Sequence, residues 1–431
     1  MNLLRRYFDL DRHQTTVRVE SVAGLTTFLA MAYITVVNPT ILSQAGMDFG
    51  AVFVATCLAA AFGTIVMGLY ANYPIAQAPG MAQNAFFTYS VVLGSGHSWQ
   101  TALGAVFLSG IIFVVLSVLP VREWLINAIP RNLKLGMASG IGLFLGFIAL
   151  KNAGIVVDHP ATLVALGDLV KFESMVCIAA FVVITALSAR GIRGAVIIGI
   201  LLASALGWLT GNTDFQGFVA MPPSPAPVLL QLDIAAAFQW SMVTVVLSML
   251  IVDVFDTSGT LIGVATRAGL VGDSGRLPRL RQALLADSTA TVAGAIAGTS
   301  STTSYIESAA GVEAGGRTGL TAVVCGLLFI GCLFFAPLAQ SVPAYATAAA
   351  LLFVACLMAR SLADIDWGDI TESAPAVVVA IAMPLSFSIA EGIGLGFITY
   401  VLIKLISGKA SDCSAAVYVI AGIFILKYLF L

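Results

Sequence analysis

Residues 298–314 read GTSSTTSYIESAAGVEA, and this stretch, lying between two long apolar runs, decides the fold. The segment 298–304 is small, polar and β-branched, a poor continuation of an apolar helix. The helix that follows, over 305–314, is too short for a bilayer core of about 30 Å. A second interruption lies at 73–80, YPIAQAPG, where two prolines remove donors and clash with the preceding turn, so extended backbone is expected. The helix after it, 81–93, is roughly 20 Å long and has to start near mid-membrane. Non-helical backbone at that depth is tolerated where protein buries it or where it lines a wet cavity. Two half-helix N-termini then aim unpaired N–H groups and positive dipole ends at one central point, where a polar ligand finds donors in place.

The rest of the chain supports a membrane reading. Of 431 residues, 59% are hydrophobic and 10% charged, with a mean hydropathy of +1.00. At roughly 20 apolar residues per crossing, such a chain supplies about a dozen spans and leaves no room for a soluble catalytic domain. A net charge of −2 from 20 basic and 22 acidic side chains forms no basic face, so nucleic acid is not an expected partner. The six cysteines form no CxxC pair and do not cluster with histidine, which supports neither a disulfide framework nor a zinc site. The polar start, residues 1–20, shows no signal or transit peptide.

Apolar windows fall near 22–43, 51–70, 80–93, 101–119, 132–150, 174–189, 194–211, 241–265, 283–297, 305–314, 317–336, 344–359, 374–390 and 392–406. These fourteen segments predict an all-α polytopic membrane protein. Arg5, Arg6, Arg12, Arg18, Arg122, Arg131, Lys134, Arg190, Arg193, Arg267, Arg276, Arg279, Arg281, Arg317, Arg360, Lys404 and Lys409 fall in connections on one side, with Lys151 and Lys171 on the other. Positive loops stay cytoplasmic, so both termini are expected there, in a multi-pass protein of the cell inner membrane. Residues 410–431 are apolar but short and carry Lys427; an interfacial segment is expected.

The breaks recur. Segments five and twelve each begin after a proline, Pro130 and Pro343, and residues 190–194 match 390–394 in position. Seven spans is an odd number, so the second copy has to enter inverted, giving a 7+7 inverted repeat with segments 3 and 10 as half-helices behind short extended stretches.

Four acids sit inside spans: Asp253, Asp256, Asp287 and Glu307. Each costs about 2.5–3.5 kcal/mol at mid-bilayer, so a cavity or partners must face them. Asp253 and Asp256 share a helix face, and Glu307 lies three residues into its half-helix, where its side chain can sit beside the free N–H groups. Asn84 and Gln83 occupy the matching half-helix. Amides and aromatic rings beside carboxylates suit a flat heterocycle with alternating donors and acceptors. The candidate ligand contacts are Asp253, Glu307, Asn84, Tyr305, Ile306, Phe28 and Thr27, with Thr26 and Tyr33 able to line the same space. For Asp256 and Asp287 three roles stay open: holding neighbours in place, carrying a proton, or touching the ligand.

Several motifs carry a family resemblance from about residue 20 to 409: residues 38–42 (NPTIL), 78–81 with 84–87 (APGM, NAFF), 253–261 (DVFDTSGTL) and 302–312 (TTSYIESAAGV). In these the chain resembles the nucleobase–ascorbate (NCS2) transporters, and within them the AzgA-like adenine/guanine/hypoxanthine permeases. The resemblance implies a core domain (21–120 and 240–337) and a gate domain (121–239 and 338–409), flanked here by the cytoplasmic 1–20 and the segment 410–431. It also implies a homodimer, and a base gripped by Asp253 and Glu307 with Asn84 important. Other branches carry glutamate in segment eight; the shorter Asp253 fits the purine branch.

A neutral purine between two ionised acids leaves buried charge uncompensated, so binding should favour proton uptake by Asp253, Asp256 or Glu307. Proton symport with alternating access is therefore expected, with no cofactor and no resident metal. Sodium is the other coupling ion to weigh, since Ser300, Ser301 and Thr302 offer oxygens. A membrane enzyme lacks a nucleophile–base set, because His13, His97 and His159 lie in predicted loops. The alternative is a carrier or channel of the same fold for inorganic anions, using the helix N-termini; two acids at the site would repel such a cargo.

Overall fold

The computed structural model describes residues 2–119, 129–270 and 277–430; Arg122 and Arg276 of the basic side lie outside them. Among the described residues, nine helices are long and apolar enough to cross a membrane, and three shorter apolar helices accompany them. The first span is two helices, α1 (Val17–Met31) and α2 (Ile34–Ser43), broken at Ala32–Tyr33. Then follow α3 (Phe49–Val66), β1 (Gln77–Pro79), α4 (Met81–Ala85), α5 (Trp99–Val118), α6 (Arg131–Asn152), α7 (Phe172–Ala189) and α8 (Ala195–Leu209). The second half holds α9 (Val243–Arg267), α10 (Leu280–Ala297), β4 (Thr302–Ser304), α11 (Ser308–Glu313) and α12 (Gly319–Cys332). It closes with α13 (Ala344–Ala359), α14 (Ile370–Leu385), α15 (Ile389–Ile406) and α16 (Ala415–Phe430).

Several helices start where a side chain caps them. Asp48 accepts from the Ala51 N–H at 2.7 Å and Ser98 from the Thr101 N–H at 3.2 Å, each satisfying a donor the helix leaves orphaned. Small residues then set the spacing between helices. A Cβ on Gly319 would lie 1.9 Å from the Gly68 carbonyl oxygen, so the start of α12 and the end of the second span meet backbone to backbone. On α6, Gly136 and Gly140 meet Ala376 and Ala380 of α14 in the same way, and Gly142 meets Ala355 and Met358 of α13. One group of helices thus packs around α3, α10 and α12, and another around α6, α13 and α14.

One feature goes beyond the all-α expectation. Residues 156–166, in the connection read from the sequence as a loop around His159, form an exposed antiparallel hairpin, β2 (Val156–His159) and β3 (Leu163–Leu166). Residues 410–431 contain α16, which packs antiparallel along α15: Lys427 pairs with Glu391, and Phe424 fills the space over Gly394. The turn between them is held by Lys404, whose ammonium lies 2.7 Å from Glu372 and 3.5 Å from Asp412. At the same end the Lys409 ammonium, 2.8 Å from Asp369, holds that carboxyl well below its usual range, helped by the Thr371 donors.

Candidate functional site

The two interruptions meet. β1 and β4 pair antiparallel in the register Gln77↔Ser304, Ala78↔Thr303 and Pro79↔Thr302. The Gly80 N–H donates to the Ser301 carbonyl and the Tyr305 N–H to the Ala76 carbonyl, both at 2.9 Å, extending the pairing at each end. All six strand residues are buried. Backbone that cannot be helical has here satisfied itself against a second such segment, which removes the cost of unpaired groups in an apolar interior. From this crossing α4 and α11 leave in opposite senses. α4 continues as wider turns over Phe86–Gly94, making up the expected half-helix.

In the second half the helix is shorter than expected, because Tyr305 stays with the strand: its backbone bonds Ala76 and its hydroxyl donates to the Pro79 carbonyl at 2.6 Å. Glu307 therefore sits at the N-cap of α11 rather than inside it, and its side chain is not spent on capping.

The four buried acids divide by their surroundings. Asp287 accepts from Gln77 Nε2 at 2.9 Å, Ser304 Oγ at 2.7 Å and Thr257 Oγ1 at 2.6 Å, binding both strands and α9 to α10. Asp253 accepts from Ser301 Oγ at 2.6 Å, Thr291 Oγ1 at 3.1 Å and Gln83 Nε2 at 3.3 Å, with 1% of its surface exposed. Asp256 and Glu307 are each partly exposed and within electrostatic reach of one another. Glu307 Oε1 accepts from the Tyr33 hydroxyl at 2.6 Å.

Beside Asp256 the space is open. A Cβ on Gly259 or Gly263 would meet nothing within 4 Å, and these residues lie three and seven positions along, on the same face of α9. Ile306, 60% exposed, belongs to the surface next to Glu307.

The remaining candidates lie in different surroundings. Asn84 is fully buried; its Oδ1 accepts from the Ser300 hydroxyl, while its Nδ2 has no partner among the described residues. Thr27 is buried against Gly311 of α11, where a Cβ would lie 2.0 Å from its hydroxyl oxygen, so it sits in a helix–helix contact. Phe28 is half-buried, its ring 5.3 Å from that of Phe329 in an edge-on packing contact. The sequence-based candidate set lacks Gln77 and treats Asp287 as one of several options. Their signal was a lone amide between two prolines and a lone acid in an apolar helix, and neither says which partner it meets.

A helical membrane protein with two interrupted segments paired at a buried acidic centre has the layout of a transport protein. The chain belongs to the Permease family, whose model matches residues 18–395. It is similar to adenine permease AdeP of Escherichia coli K12, 49% identical over 429 residues that cover 100% of this chain and 96% of the relative. It is also similar to guanine/hypoxanthine permease PbuO of Bacillus subtilis, 44% identical over 97% of this chain and 99% of the relative. Among solved structures, the transmembrane domain of the bicarbonate transporter BicA from a cyanobacterium shares the fold. It has a TM-score of 0.66 and 14% identity, and the match covers 86% of this chain and 96% of that one.

Proposed function

We propose that this chain is a purine nucleobase importer, taking adenine, guanine or hypoxanthine across the cell inner membrane. The observation that carries this reading is the pair Asp256–Glu307, two carboxylates partly open beside a crossing of interrupted segments. The relatives' names, adenine and guanine/hypoxanthine permeases, supply the substrate class. In this reading Asp256 and Glu307 accept N–H groups of the ring, and the unpartnered Asn84 amide can donate to it. Asp253, with protein donors on both oxygens, holds α4, α9 and α10 around the site rather than gripping the base.

The fold reading is two seven-segment halves of opposite orientation, with both termini cytoplasmic. Its support is the recurrence of the break and the pairing of one break with the other. The core and gate domains correspond to the helix groups around α3, α10 and α12 and around α6, α13 and α14. Alternating access follows when one group moves against the other. The first half-helix meets the second group through aromatic rings: Tyr89 lies 6.0 Å from Phe387, and Phe144 lies 5.4 Å from Phe387. The Gly259 and Gly263 face of α9 is open instead.

Coupling to protons is proposed on electrostatic grounds. A neutral base between Asp256 and Glu307 leaves two negative charges in a poorly solvated space, and a proton taken up with the base relieves that cost. The same charge disfavours an inorganic anion as cargo. In cells lacking their own purine permeases, uptake of labelled adenine and hypoxanthine should collapse when a protonophore is added in sodium-free medium. Uptake that persists there would refute symport with protons, and uptake of neither base would refute the substrate class.

A further inference from the structure

We propose that Tyr33 is a positioning residue for Glu307, fixing one carboxylate oxygen from the break in the first span so that the other is presented to the base. The proposal rests on the nucleobase reading of the site and adds to it a residue of the first span. α1 ends at Met31 and α2 begins at Ile34, with the Ala32 N–H bonded to the Phe28 carbonyl at 2.7 Å and the Thr35 N–H to the Ala32 carbonyl at 3.1 Å. This local tightening sets Tyr33 at the joint between the two helices. Its side chain is 1% exposed, and its hydroxyl lies 2.6 Å from Glu307 Oε1, the length of a charge-assisted bond.

Tyr33 is the tyrosine able to do this. The other phenol near Glu307, that of Tyr305, donates to the Pro79 carbonyl. A phenol has a single O–H, and Tyr33 gives it to Glu307. Glu307 lies at the N-cap of a six-residue helix without capping its N–H groups; its carboxylate meets its own backbone N–H, and Tyr33 is the side chain from outside that holds it. A glutamate side chain left free loses rotational entropy on meeting a ligand; one already held by Tyr33 has lost it beforehand.

The test is equilibrium binding of labelled hypoxanthine to purified full-length protein, carried out as a double-mutant cycle. Tyr33→Phe keeps the ring and removes only the hydroxyl; its dissociation constant is expected to rise about tenfold. In a Glu307→Asp background, whose shorter side chain withdraws the carboxylate from the phenol, Tyr33→Phe should change affinity by less than about twofold, because the partner is out of reach. An equal loss in both backgrounds, or no loss in the unmodified protein, would overturn the proposal. Undiminished binding by Glu307→Gln would instead overturn the site reading on which it rests. Lost binding by Glu307→Gln together with normal binding by Tyr33→Phe would overturn this inference alone.

Discussion

Replacing Asp256 by Asn, or Glu307 by Gln, is expected to lower purine uptake by about 100-fold while the protein still folds and reaches the membrane. Each substitution removes an ionised acceptor and puts an N–H₂ donor where the ring presents its own N–H. The charge-assisted bond lost contributes about 1.5–3 kcal/mol, and the opposed donors add to the loss. Both side chains are partly exposed and meet few protein partners, Tyr33 for Glu307 and Gln83 for Asp256, so the fold should tolerate the change. Asp253→Asn should behave otherwise. Its carbonyl oxygen can still accept from Ser301 and Thr291, so the Michaelis constant should stay within about threefold while thermal stability falls. If Asp253→Asn abolishes uptake at full stability and Asp256→Asn does not, the roles assigned to the two aspartates are reversed.

Asp287→Ala is expected to have the largest effect on stability. It strips the acceptor from Gln77, Ser304 and Thr257, three buried donors that hold both strands of the crossing and α9. Gln77 keeps its contact with Ser304 and Thr257 its contact with Thr303, so at about 1 kcal/mol for each hydrogen bond lost the loss is about 3 kcal/mol before any effect of the cavity. Thermal unfolding in detergent should show a midpoint lowered by several degrees, with hypoxanthine protecting the variant less than the unmodified protein. An unchanged midpoint would mean that the crossing is held by its backbone pairing alone.

Much of this was legible in the chain. The two interruptions announce themselves, since prolines at 74 and 79 and a run of hydroxyl residues at 299–304 cannot continue an apolar helix. The buried acids announce themselves too, because their cost in an apolar setting demands an explanation. What the sequence could not convey is direction around the helix axis. Asp253 and Asp256 are three residues apart, close enough to share a face; Gln83 reaches both, and only the packing of Thr291 and Ser301 separates an enclosed carboxylate from an open one. Tyr305 illustrates the same limit. Spacing makes it the first residue of a half-helix, but bonds to Ala76 and Pro79, more than two hundred positions away, hold it in the strand. The helix at Ala415–Phe430 gains its partner from Gly394 and Glu391 on α15, a fit that hydropathy does not encode.

An experimental map of the protein saturated with hypoxanthine tests the central claim most directly. The account requires ring density beside the β1–β4 crossing, within hydrogen-bond distance of both Asp256 and Glu307 and clear of Asp253. Density bound elsewhere, or an empty crossing in a preparation shown to bind the base, would contradict it.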